Sequence, residues 1–120
     1  MDRNEITGAI IGCGMRVSNA LGVGYLERVY ENALAHEIRK AGLAIGQHPS
    51  LTVMYDGVEV GHYTPDLLVE REVIVELKVA KAIDPAHEAQ VLNYLRTTDL
   101  RIGLILNFGT PHLGVRRMNL

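Results

Sequence analysis

The feature that most constrains this chain is a change of apolar period near its middle. Up to about residue 41 the apolar side chains recur at helical spacing, and from Leu51 to Val79 they follow the two-residue period of strands. Residues 5–21 place Ile6, Ile10, Cys13, Val17 and Ala20 or Leu21 on one helical face. Gly8, Gly12 and Gly14 each cost that helix about 1 kcal/mol relative to Ala, and Gly8 and Gly12 suggest close approach of another backbone. Gly22-Val23-Gly24 ends the helix. A second is expected from Tyr25 to Ala41, with Leu26, Val29, Tyr30, Ala33, Leu34, Ile38 and Ala41 as its stripe and Gly42 as its stop.

Beyond this point strands dominate. Residues 51–55 and 58–63 flank Asp56-Gly57, a strong two-residue hairpin signal. Pro65 implies an edge or a bend, since it lacks the N–H a ladder needs. Extended structure resumes at residues 66–69, and residues 73–79 alternate cleanly: Val73, Val75, Leu77 and Val79 face one way, Ile74, Glu76 and Lys78 the other. Asp84 caps and Pro85 opens a third helix running to about Arg96, followed by a strand at residues 102–106, a loop at 107–111 and a short strand at 113–118. A strand leading through a helix to another strand favours a right-handed parallel crossover. The expected architecture is α/β, a mixed central sheet flanked by helices.

At 120 residues the chain suits a single domain. Its 48% hydrophobic content excludes disorder, and with no Trp and one Phe the core must be mainly aliphatic. A net charge of -2 argues against a simple nucleic-acid-binding module, although Arg96, Arg101, Arg116 and Arg117 leave room for a local basic surface. Cys13 is the single cysteine, which removes any intrachain disulfide or cysteine-based zinc site and fits a cytoplasmic setting. No apolar run approaches a membrane span, and Asp2 and Glu5 argue against a secretory leader. Ala9-Ile10-Ile11-Gly12-Cys13-Gly14 is a poor dinucleotide-binding turn, because the third glycine of that fingerprint would fall on Val17.

The chemistry-bearing residues sit among the strands. Glu76 and Lys78 share a strand face. If residues 70–72 form a three-residue loop, Val69 pairs with Val73 and Asp66 falls opposite Glu76, with Cβ atoms roughly 4.5–5.5 Å apart. Two carboxylates and an ammonium then converge. The carboxylate repulsion calls for a divalent cation, and hard oxygen ligands suit Mg2+ or Mn2+. The competing reading is a solvated strand face with alternating charge. On the third helix His87, Gln90 and Tyr94 form one ridge able to touch a nucleic-acid backbone or base, against the alternative of a cap region with an ordinary amphipathic tyrosine. Glu27 and Tyr30 adjoin on the second helix, where Glu27 is either a further metal ligand or a surface charge.

Five segments in order carry a more specific signal: Gly24, Glu27 and Tyr30 in LGVGYLERVYENAL; Tyr63-Thr64-Pro65-Asp66-Leu67-Leu68-Val69-Glu70; Val73-Ile74-Val75-Glu76-Leu77-Lys78; HEAQVLNYLR with Gln90 and Tyr94; and GLILNFG. With them the sequence resembles the GxxExxY protein family, a branch of the PD-(D/E)XK nuclease superfamily. The resemblance implies a restriction-endonuclease-like core, Asp66 and Glu76 as metal ligands, Lys78 as catalytic lysine, Glu27 as an additional acid at the metal, and Gln90 and Tyr94 as a substrate-side helix signature. The expected function is metal-dependent hydrolysis of phosphodiester bonds in DNA or RNA. The alternative is a non-catalytic module of the same fold that binds nucleic acid or a protein partner. So short a chain offers little surface for gripping a substrate, which makes a homodimer a further expectation.

Overall fold

The computed structural model describes residues 1–120. Helix α1 spans Arg3–Leu21. Asp2 and Glu5 close a capping box at its start: the Glu5 amide donates to Asp2 at 2.8 Å and the Asp2 amide to Glu5 at 3.3 Å. Its buried stripe of Ile6, Ile10, Cys13 and Val17 is the one expected from spacing. The close approach falls elsewhere: nothing lies within 4 Å of where a Cβ would stand on Gly8 or Gly12, whereas one on Gly14 would sit 3.0 Å from Leu113 and 3.3 Å from Leu106. Gly14 is thus where α1 crosses the sheet. Helix α2, Glu27–Lys40, starts two residues later than expected, and Leu26 and Val29 of its supposed stripe are 81% and 39% exposed. The buried face is Tyr30, Leu34, Ala35 and Ile38, joined by Glu31.

The central sheet has the order β1-β4-β5-β6-β7, with β1 at Ile45–Gln47, β4 at Leu67–Val69, β5 at Val73–Lys78, β6 at Ile102–Asn107 and β7 at Gly114–Asn119. Only β5 and β6 pair in parallel, Val73 opposite Ile102 through Lys78 opposite Asn107. Helix α3, Pro85–Thr98, makes the crossover, with the Asp84 carboxylate accepting from the Ala86 amide at 2.8 Å. At three residues, β1 is too short to show an alternation and is not visible in the sequence.

The hairpin of β2 (Leu51–Tyr55) and β3 (Val58–Tyr63) forms a separate two-stranded sheet instead of continuing the central one. Its turn carries positive φ at both Asp56 (53°) and Gly57 (75°), the backbone of a type I′ connection. The separation follows from Thr64-Pro65, which interrupts the extended chain between β3 and β4. The hairpin leans on α3, with Leu51 and Val53 packed against a cluster of Tyr63, Ile74, Val91, Leu95, Ile105 and Met118.

Both faces of β5 and β6 are covered. Val73, Val75, Leu77, Leu104 and Leu106 point into a core roofed by α1 and α2, while Ile74 and Ile105 point towards α3. That accounts for the almost unbroken apolar runs of these two strands. Burial of this kind stabilises by about 25 cal/mol per Å² of apolar surface. The polar face of β5 is left only towards its C-terminal end, where Glu76 and Lys78 are half-buried. No helix is long and apolar enough to cross a membrane.

Candidate active site

Strand pairing determines where the acids meet. Val69 lies opposite Val73, Leu68 opposite Ile74 and Leu67 opposite Val75, so one further step brings Asp66 to the level of Glu76. The Asp66 carboxylate accepts from the Leu77 amide at 2.8 Å and is thereby anchored to β5. Glu76 feels this arrangement: its acidity is weakened until its pKa stands at about 7. Burial is the main cause; the hydrogen bond from Tyr63 opposes it, the charge of Asp66 and a hydrogen bond with that residue reinforce it, and Lys78 counteracts. The Tyr63 hydroxyl donates to Glu76 Oε1, and burial together with this bond holds the phenol far above its ordinary range.

Tyr63 also links the acids to α3. Its ring stacks on Tyr94 with centroids 3.3 Å apart and planes 7° from parallel, and Gln90 Nε2 donates to the Tyr94 hydroxyl at 3.3 Å. The Gln90–Tyr94 ridge is therefore coupled to Glu76 through one tyrosine. His87 lines an open depression with Gln90, Asn93 and Tyr94, and no hydrogen bond or ion pair joins it to the carboxylates. Glu27 lies on the exposed first turn of α2. Its pKa is raised by partial burial and then by Asp66, with Lys78 acting in the opposite sense, so its carboxyl stands in the field of the same cleft.

Two residues of this cleft escaped sequence reasoning. Glu31 follows Glu27 by one helical turn and is only 5% exposed. It accepts from Gln47 Nε2 at 2.8 Å and pairs with His48 Nε2 at 2.9 Å. The His48 amide in turn donates to the Asp66 carbonyl at 2.9 Å. Ligand-capable atoms of Glu31, His48 and Asp66 all lie within 4.8 Å of one another. The spacing Glu27 to Glu31 was a usable signal, because residues four apart share a helix face. His48 gave none: it sits just past the unforeseen β1, in the left-handed region at φ 52°. The arginines suspected of forming a basic surface do not gather at this cleft: Arg101 and Arg117 line adjoining hollows with Arg3 and Arg71 at the other end of β5 and β6. Arg116 pairs with Glu88 at 3.1 Å, and Arg117 is held by Thr7 and Asn4 of α1 at 3.0 and 2.7 Å.

A family model described as the PD-(D/E)XK nuclease superfamily matches residues 4–118. The chain belongs to that superfamily. Among solved structures it is similar to the crystal structure of an alkaline exonuclease (LHK-Exo) from Laribacter hongkongensis, at 12% identity and a TM-score of 0.53, with 97% of this chain and 81% of the other covered. At that identity the likeness shows the fold. A comparison with curated proteins finds no match.

Within this superfamily member, two motifs have a clear positioning task. Gly24 adopts φ +113°, which a side chain would strain, and Tyr30 binds the resulting loop from below. The Tyr30 hydroxyl donates to the Gly22 carbonyl at 2.6 Å and accepts from the Tyr25 amide at 3.3 Å, fixing the entry of α2 and with it Glu27. GLILNFG serves the other end: the Phe108 amide donates to the Lys78 carbonyl at 2.9 Å, and Gly109 lies directly on Ala80, where a Cβ has no room.

The raised pKa of Glu76 has a measurable consequence in the metal-free protein. The unfolded carboxyl releases its proton near 4.5 and the folded one near 7, so folding takes up a proton between these values. The contribution of this group to stability therefore falls as pH rises across that window. Glu76→Gln, which keeps the neutral shape, is expected to flatten the pH dependence of the melting temperature between pH 5 and 7 when measured with a chelator present. Parallel melting curves for the two proteins against pH would count against a strained acid here.

Proposed function

We propose that this chain is a metal-dependent nuclease of the GxxExxY branch, hydrolysing phosphodiester bonds of DNA or RNA. The observation that carries the reading is the convergence of Glu31, His48 and Asp66 beside Glu76, Lys78 and the rim acid Glu27. The donor set suits a divalent cation: carboxylate oxygens match Mg2+ or Mn2+, and an imidazole nitrogen is more at home with Mn2+. Burial is the main cause of the weakened acidity of Glu76, and the charge of Asp66 adds to it; a cation between the two carboxylates would offset both. Asp66 and Glu76, with His48 and Glu31, are the residues that would hold the metal, and Glu27 could reach it directly or through water. When bound, such an ion polarises a phosphoryl oxygen and acidifies a water.

The remaining tasks fall to the chain itself. Lys78 projects from the same face of β5 as Glu76 and offers a compact positive charge to a phosphate oxygen or to the attacking water. Tyr63 orients Glu76 through its hydroxyl, and its stack on Tyr94 brings Gln90 alongside. Gln90 and Tyr94 are suited to contact the backbone or a base on the α3 side, and His87 extends that ridge. The direct test is cleavage of single- and double-stranded DNA and RNA with magnesium or manganese, run beside a metal-free control. Absence of cleavage on all four substrates with both metals would remove the enzyme.

Thermal melts test the metal separately. Binding to the folded state at a hundredfold excess over Kd adds about 2.7 kcal/mol. Manganese is expected to raise the melting temperature of the wild type clearly and that of Asp66→Asn much less. The metal-free Asp66→Asn protein is expected to be slightly more stable than the metal-free wild type, since one of two repelling charges is gone while Asn keeps an acceptor for the Leu77 amide. Equal manganese shifts for the two proteins would take Asp66 out of the metal site.

A further inference from the structure

Beside the acidic cleft lies an apolar rim that the hydrolytic machinery does not use. Val23, Tyr25 and Leu26 are all exposed, Leu26 to 81% and Tyr25 to 49%, and Val79 is exposed just past Lys78. Leu26 stands at the N-cap of α2 with extended backbone and makes no capping bond through its side chain. A large apolar residue gains nothing in that position from the fold itself. The loop is nevertheless held firmly. Its turns at Gly22 (φ +67°) and Gly24 (φ +113°) are tied to the Tyr30 hydroxyl from both sides.

Tyr25 is the outer member of an aromatic column. Its ring meets Tyr30 edge-on, at 6.1 Å and 80°, and Tyr30 stacks on Phe108 at 4.9 Å and 18°. Phe108 is joined through its amide to the Lys78 carbonyl. Two residues beyond Tyr25 comes Glu27, within the field of Asp66 and Lys78. The column thus connects a preorganised, solvent-facing ring to the strand end that carries the lysine.

We propose that Tyr25 and Leu26 form a platform at the mouth of the site that takes the face of an unpaired nucleobase, so that single-stranded nucleic acid is the preferred substrate class. The proposal rests on the nuclease reading above. The chain has a net charge of -2, its cleft is lined by acids, and Arg3, Arg71, Arg101 and Arg117 gather at the end of β5 and β6 away from Lys78, so attraction for phosphate is a weak source of affinity at the site itself. Stacking on an aromatic ring tolerates any base and supplies the missing grip, with Leu26 flanking the ring. Within a duplex both faces of a base are already covered by its neighbours, and only an unpaired one is free to stack. Glu27 follows Leu26 directly, and the Tyr30–Phe108 stack leads from Tyr25 to the Lys78 carbonyl, so a base stacked on the rim would lie on the approach to the site.

The experiment is fluorescence anisotropy with a short labelled single strand and the corresponding blunt duplex, in calcium, followed by cleavage of the same substrates in manganese. The wild type is expected to bind the single strand more tightly than the duplex. Tyr25→Ala is expected to weaken single-strand binding roughly five- to hundredfold, with little change for the duplex, and Tyr25→Trp to retain binding. Tyr25→Leu keeps apolar bulk over Tyr30 and guards against a folding defect; it is expected to lose binding as well. Tyr55→Ala, at an exposed tyrosine on the tip of the β2–β3 hairpin, is expected to behave as wild type. Single-strand binding unaffected in Tyr25→Ala, or duplex binding equal to single-strand binding in the wild type, would overturn the platform. If cleavage persists in that case, the nuclease reading stands without it. Tyr25-dependent binding without cleavage in manganese would instead overturn the hydrolytic reading alone.

Discussion

Lys78→Ala is expected to lower hydrolysis by about 10²- to 10⁴-fold, the range for losing a proton-transfer or charge-stabilising group at a reacting centre. Metal binding should survive. The clustered donor atoms belong to Glu31, His48 and Asp66, and the lysine is a cation that adds to the local positive charge. Removing it also takes away a charge that strengthens the acidity of Glu76 and Glu27, so both carboxyls should titrate higher in the variant. The manganese-induced rise in melting temperature is therefore expected to be preserved or larger at pH 8 and reduced near pH 6. Lys78→Arg keeps the charge but spreads it over a planar fork, and should recover little activity. A variant that cleaves within threefold of wild type would show that the lysine is a strand-face charge and nothing more.

The largest expected effect on stability lies at Asn107. This side chain is 2% exposed at the end of β6 and saturates three backbone groups. Its Oδ1 accepts from the Ala80 and Gly109 amides at 3.0 Å each, and its Nδ2 donates to the Ala80 carbonyl at 2.9 Å. Asn107→Ala leaves all three without that partner. Each unsatisfied buried group costs about 1–3 kcal/mol, less where water can enter. A total loss of about 3 kcal/mol and a drop in melting temperature of about 10 °C are expected. Activity should fall further than the fraction of folded protein, because the same clamp holds the segment that follows Lys78. Asn107→Asp keeps the two acceptor contacts but loses the donor and buries a charge, and should be no better. A melting temperature within 2 °C of wild type would mean that the clamp is redundant with the Phe108–Lys78 backbone bond.

Much of the architecture was legible because it depends on local rules. The Ile6–Ile10–Cys13–Val17 stripe, the Asp56-Gly57 turn and the Asp84-Pro85 cap each act within a few residues, and each appears as expected. The parallel pairing of β5 and β6 followed from the intervening helix. Even the register that carries Asp66 to Glu76 could be counted from a three-residue loop. Errors arose where burial depended on distant neighbours. Leu26 and Val29 look like core residues in a helical pattern but lie outside it, and Gly8 and Gly12 look like a packing seam while Gly14 makes the contact.

By itself the sequence determined the order of the elements, the α/β class and the strand face shared by Glu76 and Lys78, since propensity and period act along the chain. Only the tertiary structure decided which other groups join that face. Glu31 enters because α2 packs over β5, His48 because the three-residue β1 pairs with β4, and Tyr63 because Pro65 turns its hairpin towards α3. These contacts join residues far apart in the chain, and their partners are selected by shape and hydrogen bonding once the layers have met. No spacing rule records such a choice. The acidity of Glu76 belongs to the same class, because burial and the charge of Asp66 act on it through space.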